Sequence, residues 1–155
     1  MFSSFVFAAL LAADITVTAS NTAVQDTIAQ HRGSPVLLHF WATWCDACVK
    51  EFPHFMQVAK TPGLKVVLVS VDLKQTIDKH VRPFLEQQHV DFPSLLLDVD
   101  NPERVMHAID ARWNGAIPAS FLYDKDGKLV RRFLGDKGDA LEKAIGALIN
   151  PAPGQ

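Results

Sequence analysis

The chain has 155 residues, 48% of them hydrophobic and 21% charged, with a formal charge of −2 and a pI near 6.3. That length and apolar content are enough for one domain with a real core and no need of disulfide stapling. Basic residues are scattered, and the longest cluster, Lys128 to Arg132, is interrupted by Leu129 and Val130, which argues against a nucleic-acid-binding surface.

From Phe2 to Ala13 the chain is almost wholly apolar, a length that suits a signal-peptide core and is too short to span a bilayer as a helix. No Lys or Arg follows Met1, and Val17-Thr18-Ala19 fits the small-residue cleavage pattern better than Leu11-Ala12-Ala13. Residues 1–19 are therefore read as a candidate signal or N-terminal apolar segment, 20–150 as the domain and 151–155 as a tail. Asp14 to Thr18 alternates like a short strand, and Ser20 or Asn21 is placed to cap a helix that buries Val24 and Ile28 and stops at Gly33. Val36 to Trp41 has the continuous apolar character of a strand covered on both faces. The helix after Cys45 contains Pro53, where a kink is expected, and Lys65 to Val71 is the next buried strand.

Beyond Asp72 the chain carries more than a minimal crossover requires. Ile77, Val81, Phe84 and Leu85 suit one helical face, with Pro83 marking a first turn, Phe92 to Leu97 reads as a strand, and Pro102 to Ile109 as a helix. Ala119 to Tyr123 and Lys128 to Phe133 flank an Asp124-Lys125-Asp126-Gly127 turn as a hairpin. Leu141, Ile145, Leu148 and Ile149 form the inner face of a last helix, ended by Pro151. Helices alternating with strands, plus a late hairpin, predict an α/β three-layer sandwich around a mixed sheet.

The chemistry concentrates in Trp41-Ala42-Thr43-Trp44-Cys45-Asp46-Ala47-Cys48, which holds both cysteines of the chain one helical turn apart. Two sulfurs at this spacing can close a disulfide, and a helix starting at Cys45 aims its free N–H groups and positive dipole end at the first of them. Structural zinc lacks a second ligand pair, and covalent haem attachment would need histidine where Val49 stands. Two cysteines that merely pack in the core are the plain alternative.

The WCxxC pair after a buried strand, Pro53 five residues past the second cysteine, and Gly115-Ala116-Ile117-Pro118 before a strand and hairpin together resemble the thioredoxin fold. More narrowly, Cys48-Val49-Lys50-Glu51-Phe52-Pro53, the long segment before Pro118, and Phe121 to Lys128 resemble the TlpA/ResA-like thiol-disulfide oxidoreductases of the thioredoxin superfamily, from about Ser20 to about Ile149. Peroxiredoxins share the fold, but their P-x-x-x-T-x-x-C signature is absent.

The resemblance implies a protein-disulfide reductase in which Cys45 attacks a partner disulfide and Cys48 resolves the mixed disulfide. It matches Glu51 to a glutamate beneath the active site with an acid–base role. His39 stands where thioredoxin has a buried aspartate, and either shuttles protons, pairs with Glu51, or is a hydrogen-bonded core residue. Pro118 is expected to be cis, presenting the Ile117 backbone to an extended substrate, with Trp44, Ala47, Ile117 and Trp113 as an apolar docking patch and Trp41 in the core. Asp46 either opposes ionisation of Cys45 or is a solvated residue pointing away from it. The remaining histidines, His31, His54, His80, His89 and His107, read as solvated or structural.

No cofactor beyond the Cys45–Cys48 disulfide and no metal is expected. The expected partners are proteins bearing disulfides or dithiols and an upstream thiol electron donor, in an extracytoplasmic (periplasmic or secreted) setting with the cytoplasm as the alternative, and with membrane contact only through the N-terminal segment. A copper-handling or thiol-chaperone module using the same sulfurs, and a non-catalytic interaction protein of this fold, are the alternatives.

Overall fold

The computed structural model describes residues 14–135 and 138–151; most of the candidate signal segment and the end of the tail lie outside the described residues. Six strands form one sheet in the order β1-β4-β3-β2-β5-β6. They are β1 (Ile15–Thr18), β2 (Val36–Trp41), β3 (Lys65–Ser70), β4 (Ser94–Leu97), β5 (Ala119–Tyr123) and β6 (Leu129–Leu134). The first four pair in parallel and the β5–β6 hairpin joins antiparallel to β2, so the sheet is mixed. β1 is the edge strand beside β4, so Ile15–Thr18 belongs to the sheet although it falls within the candidate N-terminal segment 1–19.

All six residues of β2 are buried, which is why its sequence lacks alternation. The pleat still divides them. Leu37 and Trp41 face a cluster with Phe52, Phe55 and Met56 of α2 (Asp46–Ala59), Leu85 of α3 (Arg82–Gln87) and Leu141 and Ile145 of α5 (Asp139–Ile149). Val36, Leu38 and Phe40 face the opposite cluster, with Val24 and Ile28 of α1 (Ala23–Gln30) and Val105 and Ile109 of α4 (Pro102–Ile109). These are the three layers expected from the sequence. His39 shares the parity of Leu37 and Trp41, so the pleat turns it toward α2.

Local chemistry explains the starts of two helices. Asn101 caps α4 by accepting from the Arg104 amide, and Pro102 opens that helix where an N–H would be unsatisfied anyway. Pro83 sits in the first turn of α3, as expected, after a 3-10 turn (Lys74–Thr76) and a π turn (Ile77–Val81). The start of α1 differs from expectation: Thr22 is its N-cap without a side-chain cap bond, while the Ser20 hydroxyl accepts from the Thr22 amide one step earlier.

Phe52 lies between Trp41 and Phe84, with ring centroids 4.9 Å from each, and fixes α2 over the sheet. Phe52→Ala should cost about 3–5 kcal/mol. Urea unfolding should place the variant's midpoint well below that of the parent with an unchanged slope, whereas coincident midpoints would contradict the packing described.

Candidate active site

Cys45 ends the turn that follows β2 and is the N-cap of α2, with extended backbone (φ −91°, ψ 101°) and its sulfur accepting the Cys48 amide at 3.2 Å. The helix therefore begins on the sulfur itself, and its unpaired N–H groups and dipole act there. Cys45 and Cys48 form a disulfide with Cα atoms 5.2 Å apart. Cys45 keeps 9% of its surface in solvent and Cys48 none, so any reagent meets Cys45 first.

Opposite the pair, the Ile117–Pro118 peptide is cis, and the Ile117 carbonyl oxygen lies 3.9 Å from Cys45 Sγ. The loop leading there is tied down from within. Trp113 Nε1 donates to the Ala116 carbonyl at 2.9 Å, and Gly115 has φ +85° with Met106 so close that an added Cβ would come within 2.8 Å of its Cε. Trp113 is buried against Phe40 and Phe121, which corrects its expected place in the docking patch: its indole supports the loop from below. Trp44 is 65% exposed and Ala47 is also exposed, while Trp41 is core as expected.

Two buried carboxylates hold these loops, and neither was singled out from the sequence. Asp72, just past β3, accepts from the Thr43 amide at 3.0 Å, from the Thr43 hydroxyl, and from the Ser70 hydroxyl at 2.8 Å. It thus clamps the turn that carries Trp44 and Cys45. The available signal was position: Asp72 follows the carboxyl end of a parallel strand, the same end at which β2 delivers Cys45 and at which open α/β sheets place their sites. Asp110, after α4, accepts from the Arg112 amide at 2.9 Å and from Arg132 Nη1 at 2.9 Å. The Arg112 amide bond, opposed by desolvation and aided by the two guanidiniums, holds its carboxyl below the usual range.

Beneath the disulfide, His39 is 1% exposed, stacks on Phe55 at 4.2 Å and shares a 2.8 Å hydrogen bond between Nδ1 and the hydroxyl of Ser120, its partner across β2 and β5. Nε2 lies 3.5 Å from Glu51 Oε1. Burial pushes the imidazole down to about 3, so it is neutral and meets Glu51 as a dipole facing a carboxylate. Of the roles considered for His39, titration near neutral pH is the one this environment opposes. Glu51 is 14% exposed and lies one helical turn past Cys48. Asp46 is exposed at the first helical residue. Among the described residues no three His, Cys, Asp or Glu side chains converge as metal ligands.

Residues 11–132 match the AhpC/TSA family. The chain belongs to that family. Within the thioredoxin superfamily it is a TlpA/ResA-like member, 33% identical over 107 residues to the thiol-disulfide oxidoreductase ResA of Bacillus thuringiensis (68% of this chain, 58% of the relative). It is also 30% identical over 142 residues to ResA of Bacillus subtilis (86% and 74%). The chain thus spans 58% of the first relative's length. Among solved structures, a Chlorobium tepidum protein assigned as the thiol:disulfide interchange protein DsbE superposes with a TM-score of 0.61 at 30% identity, over 79% of this chain and 85% of that one.

Two outcomes check the supports of this thioredoxin-like site. Asp72→Ala removes the acceptor of the Thr43 amide, a loss of about 1–3 kcal/mol to the turn. Hydrogen exchange at Thr43 should speed up while Leu38 in β2 stays protected, and unchanged exchange at Thr43 would contradict the clamp. His39 binds its proton less readily folded than unfolded, so its contribution to stability is complete above about pH 6.5 and is lost as pH falls toward about 3. His39→Gln should flatten the fall in unfolding free energy between about pH 6 and 4 in a urea series, and parallel slopes would contradict a buried neutral imidazole.

Proposed function

We propose that the chain reduces disulfides of protein partners, with Cys45 as the attacking sulfur and Cys48 as the resolving one. The observation that carries this reading is the asymmetry of the pair: Cys45 caps the helix beside the cis-Pro carbonyl and touches solvent, and Cys48 is sealed behind it. In the reduced protein the Cys45 thiolate attacks one sulfur of the partner disulfide, and the other partner sulfur leaves as a thiolate and takes a proton from water. Cys48 then gives its proton to Glu51, bonds to Cys45 Sγ and displaces the second partner sulfur. The partner gains two electrons, the Cys45–Cys48 disulfide forms, and a dithiol donor upstream returns the electrons.

An extended partner chain would pair with the Ile117 backbone and rest on Trp44 and Ala47, which restrains the attacked disulfide in line with Cys45. His39 is a positioning residue here. Held by Ser120, it keeps its ring against the Glu51 side chain, with Nε2 3.5 Å from Oε1. The apolar N-terminal stretch and the redox pair together support an extracytoplasmic setting, where disulfides persist in partner proteins.

The test combines trapping with kinetics. Cys48→Ser should accumulate a mixed disulfide with a disulfide-bonded protein such as insulin, and Cys45→Ser should neither trap nor reduce it. Glu51→Gln should slow release of the reduced partner about tenfold or more near neutral pH and recover at high pH, where hydroxide removes the Cys48 proton. A wild-type protein that binds copper through the pair but leaves insulin oxidised would overturn the reading.

A further inference from the structure

Cys48, Glu51 and His54 recur at three-residue spacing on α2, so they follow one another along one helical surface. Between that surface, β2, β5, β6 and α5 lies a cavity of about 20 Å³ lined by His39, Glu51, His54, Ser120 and Leu141 among others. About 10–15 Å³ of such volume suffices for one water, and a water also needs polar partners. Here they are present. His39 Nε2 and His54 Nε2 are both buried without a hydrogen bond, and the 3.5 Å from His39 Nε2 to Glu51 is long for a direct one. The His54 side chain is nevertheless 39% exposed, so the ring meets both the cavity and bulk solvent.

We propose that this cavity holds one water joining Glu51 to His54, and that His54 is the outlet by which the proton taken from Cys48 reaches solvent. The inference rests on the exchange reading above. When Cys48 attacks, its proton passes to a Glu51 oxygen while its electron pair forms the bond to Cys45 and the partner sulfur leaves with the old bonding pair. Glu51 then yields the proton through the water to His54 Nε2, and the imidazolium releases one to bulk solvent, restoring a carboxylate at Glu51.

The charged and titratable groups around the path favour that direction. His39 on β2 stays neutral because it is buried and does not compete for the proton. Glu142 on α5, with Oε1 3.8 Å from His54 Nε2, steadies the transient positive charge. Ser120 on β5 turns its hydroxyl to His39 Nδ1.

The experiment uses the full chain with an aromatic thiol held on Cys45 as a mixed disulfide, and follows release of the coloured thiolate by stopped flow from acid to alkaline pH. Release by the wild type checks the exchange reading itself; no release would sink that reading before His54 is at issue. His54→Gln should slow release about tenfold at mildly acidic pH, with the gap closing in alkali and with added imidazole restoring the rate. Its equilibrium with glutathione should match the wild type, because an outlet changes a rate and leaves both end states alone. His54→Asn serves if the Gln variant does not fold. A His54 variant that superimposes on the wild type at every pH would overturn the proposal, as would a loss that neither pH nor imidazole relieves.

Discussion

The structure depends on where α2 begins. A helix needs partners for its first N–H groups, and here one of them is the Cys45 sulfur, which receives the Cys48 amide. That single bond sets three things together. It fixes the register in which Cys48 falls one turn deeper, it places the positive end of the helix on the Cys45 sulfur, and it leaves that sulfur beyond the carboxyl end of β2. Cys45 is thus a structural cap and, in the proposed exchange, the reacting residue, and the surrounding loops hold it in place for both.

Those loops are held by buried polar groups. Asp72 grips Thr43 from the end of β3, and Asp110, between Arg112 and Arg132, anchors the segment whose Trp113 indole supports the approach to the cis peptide. Removing such a carboxylate takes away several acceptors at once, and at Asp72 it would leave the part-buried Thr43 amide and the buried Ser70 hydroxyl without their partner. The site is therefore held from two sides, with Trp44 exposed at its rim.

Much of this was legible in the sequence, for identifiable reasons. The apolar run Val36 to Trp41, the hairpin around Gly127 and the helix from Pro102 to Ile109 follow from hydrophobic period and turn chemistry, and each formed where expected. The cysteine pair and Pro118 were legible through a motif, in which Cys45 and the Ile117 carbonyl meet although 72 positions separate them. Asp72 and Asp110 were not singled out because an aspartate after a strand or helix looks like any solvated loop residue until tertiary packing buries it. Trp113 was misplaced for a related reason: a tryptophan near a binding loop can face the ligand or brace the loop, and only the positions of Phe40 and Phe121 decide. His39 was found by its position in the strand, but its neutral state follows from complete burial, which an apolar run suggests and packing determines.

The central claim is that the sulfur at the start of α2 is the readily ionised one. The most direct measurement is alkylation of the reduced protein as a function of pH, with the labelled cysteine identified by peptide mapping. The account predicts a first label on Cys45, following a thiol that ionises below the free-cysteine value of about 8.5, with Cys48 unreacted until far higher pH. First labelling at Cys48, or equal labelling of both with ordinary thiol acidity, would contradict it.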